Sequence, residues 1–354
     1  MLIKMPRMPK LFFWVHWKQN TRQVFLQSVI FMLVFLLGFT FGYYVLFYRY
    51  TPENHHAIFQ MMMDKKHHVA TMANHSNGNN KTLKVLFCTM ITDDFYAYSM
   101  GAIKLGKAIH KDIPTLQSKL GLFVETAVVE LKERPMPLKI WVKLRDEGGW
   151  QRKLSFNRLA PRHEGREVNA RFKDQFTKLR LWTLDEQGFD WVFYMDSDMF
   201  VVRSLVPLFD HVIYQNNCTS SKLWVIRDFP EFTDAFNMGL FAMQPNSTEF
   251  ERLVCLLQGG CKGIFPVQFA ESWAEQGFLN AVYENQWTDI PYIYGMNLAI
   301  WGLQKDVWDA NATHIQAVHF TMVKPWNWWC IWTQYAPLCY LFWHRDEMQF
   351  HKID

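Results

Sequence analysis

A continuous apolar run, LKVLFCTMI at residues 83–91, constrains the fold more than any other feature of this chain. Its composition is typical of a β-strand covered on both faces, as in parallel sheets flanked by helices. The runs LFVETAVVEL (122–131) and WVFYM (191–195) have the same character. Helical patterns stand between them, within residues 92–109 and over residues 174–187. This alternation predicts an α/β fold with a mainly parallel central sheet.

Size and charge narrow the classes of function. The chain has 354 residues, of which 50% are hydrophobic, so it can form a sizeable core in one large or two ordinary domains. The formal net charge is only +4, and beyond the N-terminus lysines and arginines are mixed with acidic residues instead of forming a basic stripe. We therefore expect no nucleic-acid partner.

The N-terminal region contains a predicted membrane anchor at residues 24–48. This run carries no charge, and at about 1.5 Å per residue a helix of this length crosses the roughly 30 Å of hydrocarbon in a bilayer. A cleaved signal peptide is the alternative, but the run is too long for one and no small-x-small cleavage site follows it. Only basic charges precede the run, whereas Glu53 soon follows it. These basic residues are Lys4, Arg7, Lys10, Lys18 and Arg22.

This charge bias predicts a single-pass type II protein of the Golgi membrane, with residues 1–23 as a cytosolic tail and the catalytic part in the lumen. Residues 49–82 are polar and lack apolar periodicity, so we expect a stem there. Sequence features that suit a lumen all follow the anchor, namely the N-x-Ser/Thr acceptors and the six cysteines. The acceptors are Asn74, Asn80, Asn217, Asn246 and Asn311, and the nearest cysteine pair is Cys255 with Cys261.

A pair of carboxylates, Asp196 and Asp198, directly follows the strand-like run WVFYM. Residues i and i+2 of an extended chain share a face, and ligands of open α/β sheets bind beyond the carboxyl ends of strands. Two close carboxylates need a cation, and oxygen ligands suit Mg²⁺ or Mn²⁺ with open positions for phosphate oxygens. The pair therefore predicts a phosphate or nucleotide substrate. Two alternatives stay open: a turn cap beside a surface residue, or a phosphatase-type motif with Asp196 as nucleophile.

Five sequence blocks, in order, resemble glycosyltransferase family 8, which includes the glycogenin-like enzymes and their plant glucuronosyltransferase relatives. Together they span nearly all of residues 83–330, the predicted transferase domain. The blocks are LFCTMITDDFYAYSMGAIKLGKAI (86–109), FTKLRLWTLDEQGFDWVFYMDSDMFVVRSLVPLFD (176–210), FNMGLFAMQPNSTEFERLV (236–254), EQGFLNAVYENQW (275–287) and VHFTMVKPW (318–326).

The resemblance implies a GT-A, Rossmann-like fold, a UDP-sugar donor and retention of the anomeric configuration. It also implies a divalent ion, usually Mn²⁺ with Mg²⁺ as the alternative. By matching position, Asp196, Asp198 and His319 would bind the metal. The matching catalytic residues would be Gln276 beside the anomeric carbon, Lys178 near the donor, and Asn237 beside the transferred sugar. Further matches to donor-binding positions are Thr89, Met90, Asp93 and Tyr96 around uridine, and Ser197, Gly239, Glu275 and Lys324 around the diphosphate and sugar.

Two departures from the family pattern concern the donor. Glu275-Gln276-Gly277 stands where the family has Asp-Gln-Gly, so the acid is one methylene longer and the donor sugar stays open, with UDP-glucose and UDP-glucuronate favoured. His319-Phe320-Thr321-Met322 lacks a glycine that would let the backbone approach phosphate closely. A catalytically inactive lectin-like or scaffolding protein of the same fold is the alternative function.

The sequence says less about the acceptor substrate and about the structure of the C-terminal region. We expect a glycan, polysaccharide or glycolipid acceptor, and a homodimer is an open possibility. Residues 331–354 are predicted to form an aromatic-rich tail packed on the domain. The tryptophan-rich segment 325–343 has further interpretations: a second membrane span, although Asn327, Gln334 and Pro337 interrupt it, or rings that stack on acceptor sugars or lie at a membrane interface.

Overall fold

The computed structural model describes residues 82–161, 172–215, 223–228, 234–260, 263, 267–269 and 271–350. The predicted cytosolic tail, membrane anchor and nearly all of the predicted stem lie outside these residues, as does Cys261, the nearest cysteine in sequence to Cys255. Among the described residues, no helix combines the length and the apolar character that a membrane span requires.

Strands in the described residues form two sheets. The strands are β1 Leu83–Met90, β2 Leu122–Leu131, β3 Arg152–Phe156, β4 Trp191–Met195, β5 Met199–Val201, β6 Leu223–Arg227, β7 Phe236–Met243, β8 Trp287–Ile290, β9 Met296–Asn297 and β10 Ala317–His319. The larger sheet has seven strands in the order β3-β2-β1-β4-β7-β6-β8. Its neighbours are parallel except where β7 pairs with β4 and β6, which confirms the predicted mainly parallel sheet.

Helices cover this sheet. The α-helices are α1 Phe95–Leu120, α2 Leu138–Gly148, α3 Val206–Asp210, α4 Ser247–Leu257, α5 Ala274–Val282, α6 Leu298–Leu303, α7 Lys305–Asn311 and α8 Ala336–Phe350. A short π-helix, His211–Gln215, directly follows α3. The 3₁₀ helices are Gln175–Gln187, Glu271–Trp273, Tyr292–Tyr294 and Trp328–Trp332.

Strand β1 explains why its sequence is apolar without alternation. Val85 and Phe87 belong to the hydrophobic cluster that includes residues of α1 and α2. Leu86 and Cys88 belong to the cluster on the other face, with residues of the 3₁₀ helix Gln175–Gln187 and of α4 and α5. Both faces of the strand are therefore sealed from water, as the sequence predicts.

The two predicted helices form with local differences. Asp94 is the N-cap residue of helix α1. Its backbone is left-handed (φ 38°), and its side chain accepts a hydrogen bond from the Ala97 amide. The pattern over residues 174–187 predicts Asp174 as an N-cap, but the segment is a 3₁₀ helix without a side-chain cap. Instead, the Asp174 carboxylate forms ion pairs with the guanidinium groups of Arg134 and Arg158.

The smaller sheet, in the order β5-β10-β9, brings distant parts of the chain together. Strand β10 pairs antiparallel with β5, which begins directly after the two carboxylates. In this register His319 lies opposite Met199, and the Phe320 amide donates to the Asp198 carbonyl at 3.1 Å. A three-residue strand thus places a late histidine beside the end of β4.

The C-terminal segment packs through a different set of contacts. A disulfide between Cys330 and Cys339 joins the 3₁₀ helix Trp328–Trp332 to α8. Phe342 on α8 makes edge contacts with Phe200 and Phe320. Residues 325–343 therefore fold into short helices against the domain and do not form one continuous span.

Candidate active site

A cleft of about 610 Å³ opens where the carboxyl ends of β1 and β4 meet. It lies at this edge because parallel neighbours end on the same side of a sheet. All the predicted site residues except Thr89 and Tyr96 line it. These residues are Met90, Asp93, Lys178, Asp196, Ser197, Asp198, Asn237, Gly239, Glu275, Gln276, His319 and Lys324.

Thr89 and Tyr96 occupy positions other than the cleft lining. Thr89 is completely buried, and its hydroxyl has no hydrogen-bond partner among the described residues. Tyr96, in the first turn of α1, is 68% exposed. Tyr98, two residues further along α1, does line the cleft, and its ring meets the edge of Trp326 at 5.0 Å. The aromatic side chains that line the cleft are thus Tyr98, Phe172 and Trp273, none of which the sequence pattern singles out.

The predicted metal ligands converge at the floor of the cleft. Suitable ligand atoms of Asp196, Asp198 and His319 all lie within 4.8 Å of one another. His319 Nε2 is 3.3 Å from Asp198 Oδ1 and 3.8 Å from Asp196 Oδ2. Asp198 Oδ1 is buried and accepts no hydrogen bond among the described groups. A buried carboxylate oxygen without a donor is costly unless a cation approaches it.

The second oxygen of each aspartate is already engaged. Asp196 Oδ1 accepts from the Tyr194 hydroxyl at 2.5 Å and lies 3.1 Å from Lys178 Nζ. Asp198 Oδ2 pairs with Lys324 Nζ, which also donates to the Phe320 carbonyl at 2.7 Å. These contacts orient both carboxylates, so that one oxygen of each faces His319. Two oxygens and one imidazole nitrogen form a donor set that fits Mn²⁺ or Mg²⁺.

Lys178 is a buried cation between two acids. Its Nζ lies 2.9 Å from Glu275 Oε1 and 3.1 Å from Asp196 Oδ1, and it donates to the Met238 carbonyl at 3.3 Å. Burial lowers the pKa of Lys178, but attraction to the two carboxylates outweighs it and the net pKa is raised. The lysine is therefore an ammonium at neutral pH.

Glu275 is held by the same lysine. It is buried, and burial raises its pKa against the opposing effect of Lys178. One carboxylate oxygen, Oε1, is committed to Lys178. The sequence predicts a donor contact for Glu275, and the structure places the residue in the cleft lining with this ion pair.

Asp228 is a site residue that the sequence analysis missed. It follows β6, lines the cleft and is buried. Its carboxylate accepts from the side-chain amides of Asn237 at 3.0 Å, Asn297 at 3.3 Å and Gln276 at 3.4 Å. Burial raises its pKa, and the hydrogen bonds from the three amides and the interaction with His319 oppose this shift only partly. The missed signal was similar to that for Asp196: an aspartate at the end of a strand-like run, here LWVI followed by Arg227.

Asn237 and Gln276 are fixed from both ends by this arrangement. While their amide nitrogens donate to Asp228, Asn237 Oδ1 accepts from the Gly239 amide at 2.8 Å and Gln276 Oε1 from the Met238 amide at 3.2 Å. Asn297, whose Oδ1 accepts from the Thr321 hydroxyl at 2.5 Å, extends the network towards the loop after β10. No sequence signal marks Asn297, because it lies in a two-residue strand.

Gly239 is required by close packing against His319. A Cβ at this position would lie 2.2 Å from His319 Cε1 and 2.7 Å from His319 Nδ1. Both distances are far below a normal contact, so any other residue would displace the imidazole. Besides its predicted place beside the sugar, Gly239 thus leaves the space that the His319 imidazole occupies.

The chain was compared with known proteins, and no family model matches it. Galactinol synthase 1 from Solanum lycopersicum is 30% identical over 186 residues, covering 48% of this chain and 55% of the relative. Galactinol synthase 4 from Arabidopsis thaliana is 26% identical over 180 residues, covering 43% and 50%. An uncharacterized protein, R707, from Acanthamoeba polyphaga mimivirus is 26% identical over 181 residues, covering 46% and 58%. The chain spans about half the length of the curated relatives it matches.

Solved structures give weaker similarities. The apo-form glycosyltransferase GlyE of Streptococcus pneumoniae TIGR4 has a TM-score of 0.45 and 14% identity, covering 75% of this chain and 64% of that chain. Galactosyltransferase LgtC in complex with donor and acceptor sugar analogues has a TM-score of 0.43 and 16% identity, covering 73% and 95%. TM-scores this low do not establish a common fold.

Proposed function

We propose that this chain is a divalent-metal-dependent glycosyltransferase of the GT-A class. It would move a hexose-type sugar from a UDP-sugar to a glycan, polysaccharide or glycolipid acceptor, with retention of configuration. One observation carries the proposal: two aspartates, a distant histidine and two lysines converge in one cleft at the carboxyl edge of a mainly parallel sheet. The similarity to galactinol synthases supports the same class of enzyme.

The charges of the cleft suit a diphosphate only when a cation is present. Asp196, Asp198 and Glu275 carry negative charge, against the ammonium groups of Lys178 and Lys324. Held by Asp196, Asp198 and His319, Mn²⁺ or Mg²⁺ would supply positive charge to the diphosphate oxygens. A phosphatase reaction with Asp196 as nucleophile is disfavoured, because one of its oxygens is held by Tyr194 and Lys178 while the other faces His319.

The lysines would act on the leaving group. As the bond between sugar and UDP breaks, negative charge develops on the departing phosphate oxygen, and fixed cations stabilise it most in a cleft with little water. Lys178 is suited to this role since its raised pKa keeps it protonated. Lys324 lies on the opposite side of the pair, at Asp198, and would contact the diphosphate from there.

The amide network would hold the sugar. Asn237 and Gln276 cannot rotate freely because each is bound at both its oxygen and its nitrogen. With retention, the acceptor hydroxyl approaches the face that UDP leaves, so no strong protein nucleophile is obligatory. Gln276 would then position the oxocarbenium-like sugar, and Asp228 would keep both amides in place.

The location and assembly of the protein are also part of the proposal. The uncharged run 24–48 supports a single-pass type II protein of the Golgi membrane with the cleft in the lumen. The Cys330–Cys339 disulfide supports an oxidising compartment. A homodimer is compatible with this proposal, which does not depend on it.

The test is hydrolysis of UDP-sugars by the purified protein with and without Mn²⁺. We expect Mn²⁺-dependent release of UDP from at least one donor among UDP-glucose, UDP-glucuronate, UDP-galactose, UDP-xylose and UDP-N-acetylglucosamine. Asp198→Ala should abolish it. If the wild type releases no UDP from any of these donors and behaves like Asp198→Ala, the chain is an inactive lectin-like or scaffolding protein and the proposal fails.

A further inference from the structure

Residues 325–343 form an unusual surface. The segment, PWNWWCIWTQYAPLCYLFW, contains no Asp, Glu, Lys, Arg or His. Some of its side chains, such as Leu338 and Phe342, are buried in the domain, but six large apolar ones are exposed by 42% to 78%. We call these six the aromatic surface: Trp328, Trp329, Ile331, Trp332, Tyr340 and Trp343.

The fold imposes this exposure. The Cys330–Cys339 disulfide fixes the 3₁₀ helix Trp328–Trp332 against α8, and of that helix's five residues only Cys330 is buried. The Trp343 indole donates to the Pro325 carbonyl at 2.9 Å, which ties the helix back to the start of the segment. Tyr340 and Trp343 lie three residues apart on α8 and therefore share a face. The rings are held outward by covalent and hydrogen bonds.

Packed rings link the aromatic surface to the cleft. Trp326 makes edge contacts with Tyr98, a cleft residue, at 5.0 Å and with the buried Phe342 at 6.4 Å. Phe342 in turn contacts Trp343. Met322, which lines the cleft and is 61% exposed, precedes the segment by three residues. The aromatic surface is therefore fixed to the part of the domain that forms one wall of the cleft.

The chemistry of the surface favours a lipid–water interface over a soluble sugar or protein. Tryptophan and tyrosine are enriched at membrane interfaces, where an apolar ring lies beside a polar NH or OH group. Sites for small polar ligands add precisely placed charged or polar groups, whereas the polar side chains here are the neutral Asn327, Thr333 and Gln334. Helix α8 has 15 residues, or about 22 Å, and is too short to cross a bilayer of about 30 Å. It suits a position on the membrane.

We propose that the aromatic surface rests on the lipid–water interface of a membrane and holds the mouth of the cleft beside a glycolipid acceptor. The identity of the acceptor rests on the proposed transferase function, but the membrane contact does not. The segment itself lacks Lys and Arg, and the neighbouring Lys104 ammonium already lies over the Phe342 ring at 5.2 Å. The contact should therefore depend on the aromatic rings and should not require anionic lipids.

The test uses the full chain in liposomes of phosphatidylcholine that contain a small fraction of photoactivatable phosphatidylcholine. Peptides labelled after illumination are identified by mass spectrometry. We expect label in residues 325–343, unchanged when phosphatidylserine is added. In the double variant Trp328→Ser/Trp332→Ser, the lipid label in residues 325–343 should fall at least about fivefold, since interfacial binding scales with buried apolar area. Label in the N-terminal run 24–48 of the same molecules serves as the internal reference.

The matched control is Phe123→Ser. Phe123 is also an exposed aromatic residue (48%), but it lies near the amino end of β2. The cleft is at the carboxyl ends of the parallel strands, so Phe123 is far from it and this variant should keep full label. The proposal is overturned if residues 325–343 take no label or if the double variant is labelled like the wild type.

A separate readout distinguishes this proposal from the proposed function. Mn²⁺-dependent hydrolysis of the donor should be the same in the wild type and in Trp328→Ser/Trp332→Ser, since neither side chain lines the cleft. If no hydrolysis occurs but the lipid label follows the tryptophans, the membrane contact stands and only the acceptor is lost. If hydrolysis occurs without lipid label, the transferase stands and the membrane contact fails.

Discussion

Asp198 and Asp228 are two buried carboxylates of one cleft with opposite surroundings. They are 8% and 5% exposed, and each follows a strand that ends at the same sheet edge. Asp198 faces His319 and Lys324, and although burial raises its pKa, these two partners lower it far more. Asp228 accepts hydrogen bonds from three neutral amides, and burial raises its pKa by more than these bonds and the interaction with His319 lower it.

The difference shows that burial alone does not define a metal ligand. An aspartate surrounded by cationic or metal-binding groups stays charged and can turn an oxygen towards an ion, as Asp198 does with Oδ1, which accepts no hydrogen bond and lies 3.3 Å from His319 Nε2. An aspartate surrounded by amides uses its oxygens to hold those amides in place. We therefore assign Asp198 to cation binding and Asp228 to the positioning of Asn237 and Gln276.

The largest effect is expected from removing the charge of Asp198. Asp198→Asn keeps the volume but removes the carboxylate that pairs with Lys324 and places an amide at the metal position. We expect Mn²⁺ affinity to fall beyond detection and UDP release to drop about 1,000-fold. Isothermal titration with Mn²⁺ and a UDP-release assay measure the two effects.

Asp228→Asn is the matched control, since it makes the same change in the same cleft. It should retain Mn²⁺ affinity within about twofold, because Asp228 is not among the ligand atoms around His319. Equal loss of Mn²⁺ affinity in both variants would contradict the division of roles between the two aspartates.

An intermediate effect is expected from crowding His319. In Gly239→Ala the new methyl group would lie 2.2 Å from His319 Cε1, so the imidazole must move away from Asp198. We expect Mn²⁺ affinity to fall about 10- to 100-fold, as when the support of a metal ligand is lost. Titration with Mn²⁺ measures this. Gly302→Ala is the control, because the nearest neighbour of its new methyl group would be a side-chain atom of Gln334 at 3.1 Å and not a predicted metal ligand. If the two variants bind Mn²⁺ alike, Gly239 does not position the histidine.

The smallest effect concerns the pH dependence of stability. The pKa of Asp228 is raised in the folded protein above the ordinary value of 3.8, so between these two pKa values the folded state binds more protons than the unfolded state. The free energy of unfolding should therefore fall as pH rises through this window and be highest, for this group, below 3.8.

Urea denaturation of the wild type and Asp228→Asn, at several pH values above about 4, measures this contribution. The variant cannot titrate at this position, so its stability relative to the wild type should increase as pH rises. A stability difference that is constant with pH would show that Asp228 has an ordinary pKa and that the three amides compensate its burial.

Much of the fold could be predicted because local composition encodes it. The runs at residues 122–131 and 191–195 coincide with β2 and β4, since apolar β-branched and aromatic residues suit strands covered on both faces. The eight-residue antiparallel strand β7 was not predicted, and β9 was missed because two residues carry no measurable periodicity. The 3₁₀ form of Gln175–Gln187 was missed for a similar reason: the apolar pattern of a helix does not distinguish its type.

The sequence by itself determined that an aspartate pair stands at the end of a buried strand, because strand, carboxylates and spacing are neighbours in the chain. Tertiary structure decided which oxygens stay available. Lys178 and Lys324 occupy one oxygen of each aspartate, and His319 reaches the others through the register of a three-residue strand. Only the fold also revealed Asp228 as the centre of an amide network and the tryptophans of residues 325–343 as a surface. These features depend on contacts between residues far apart in the chain, which local pattern does not specify.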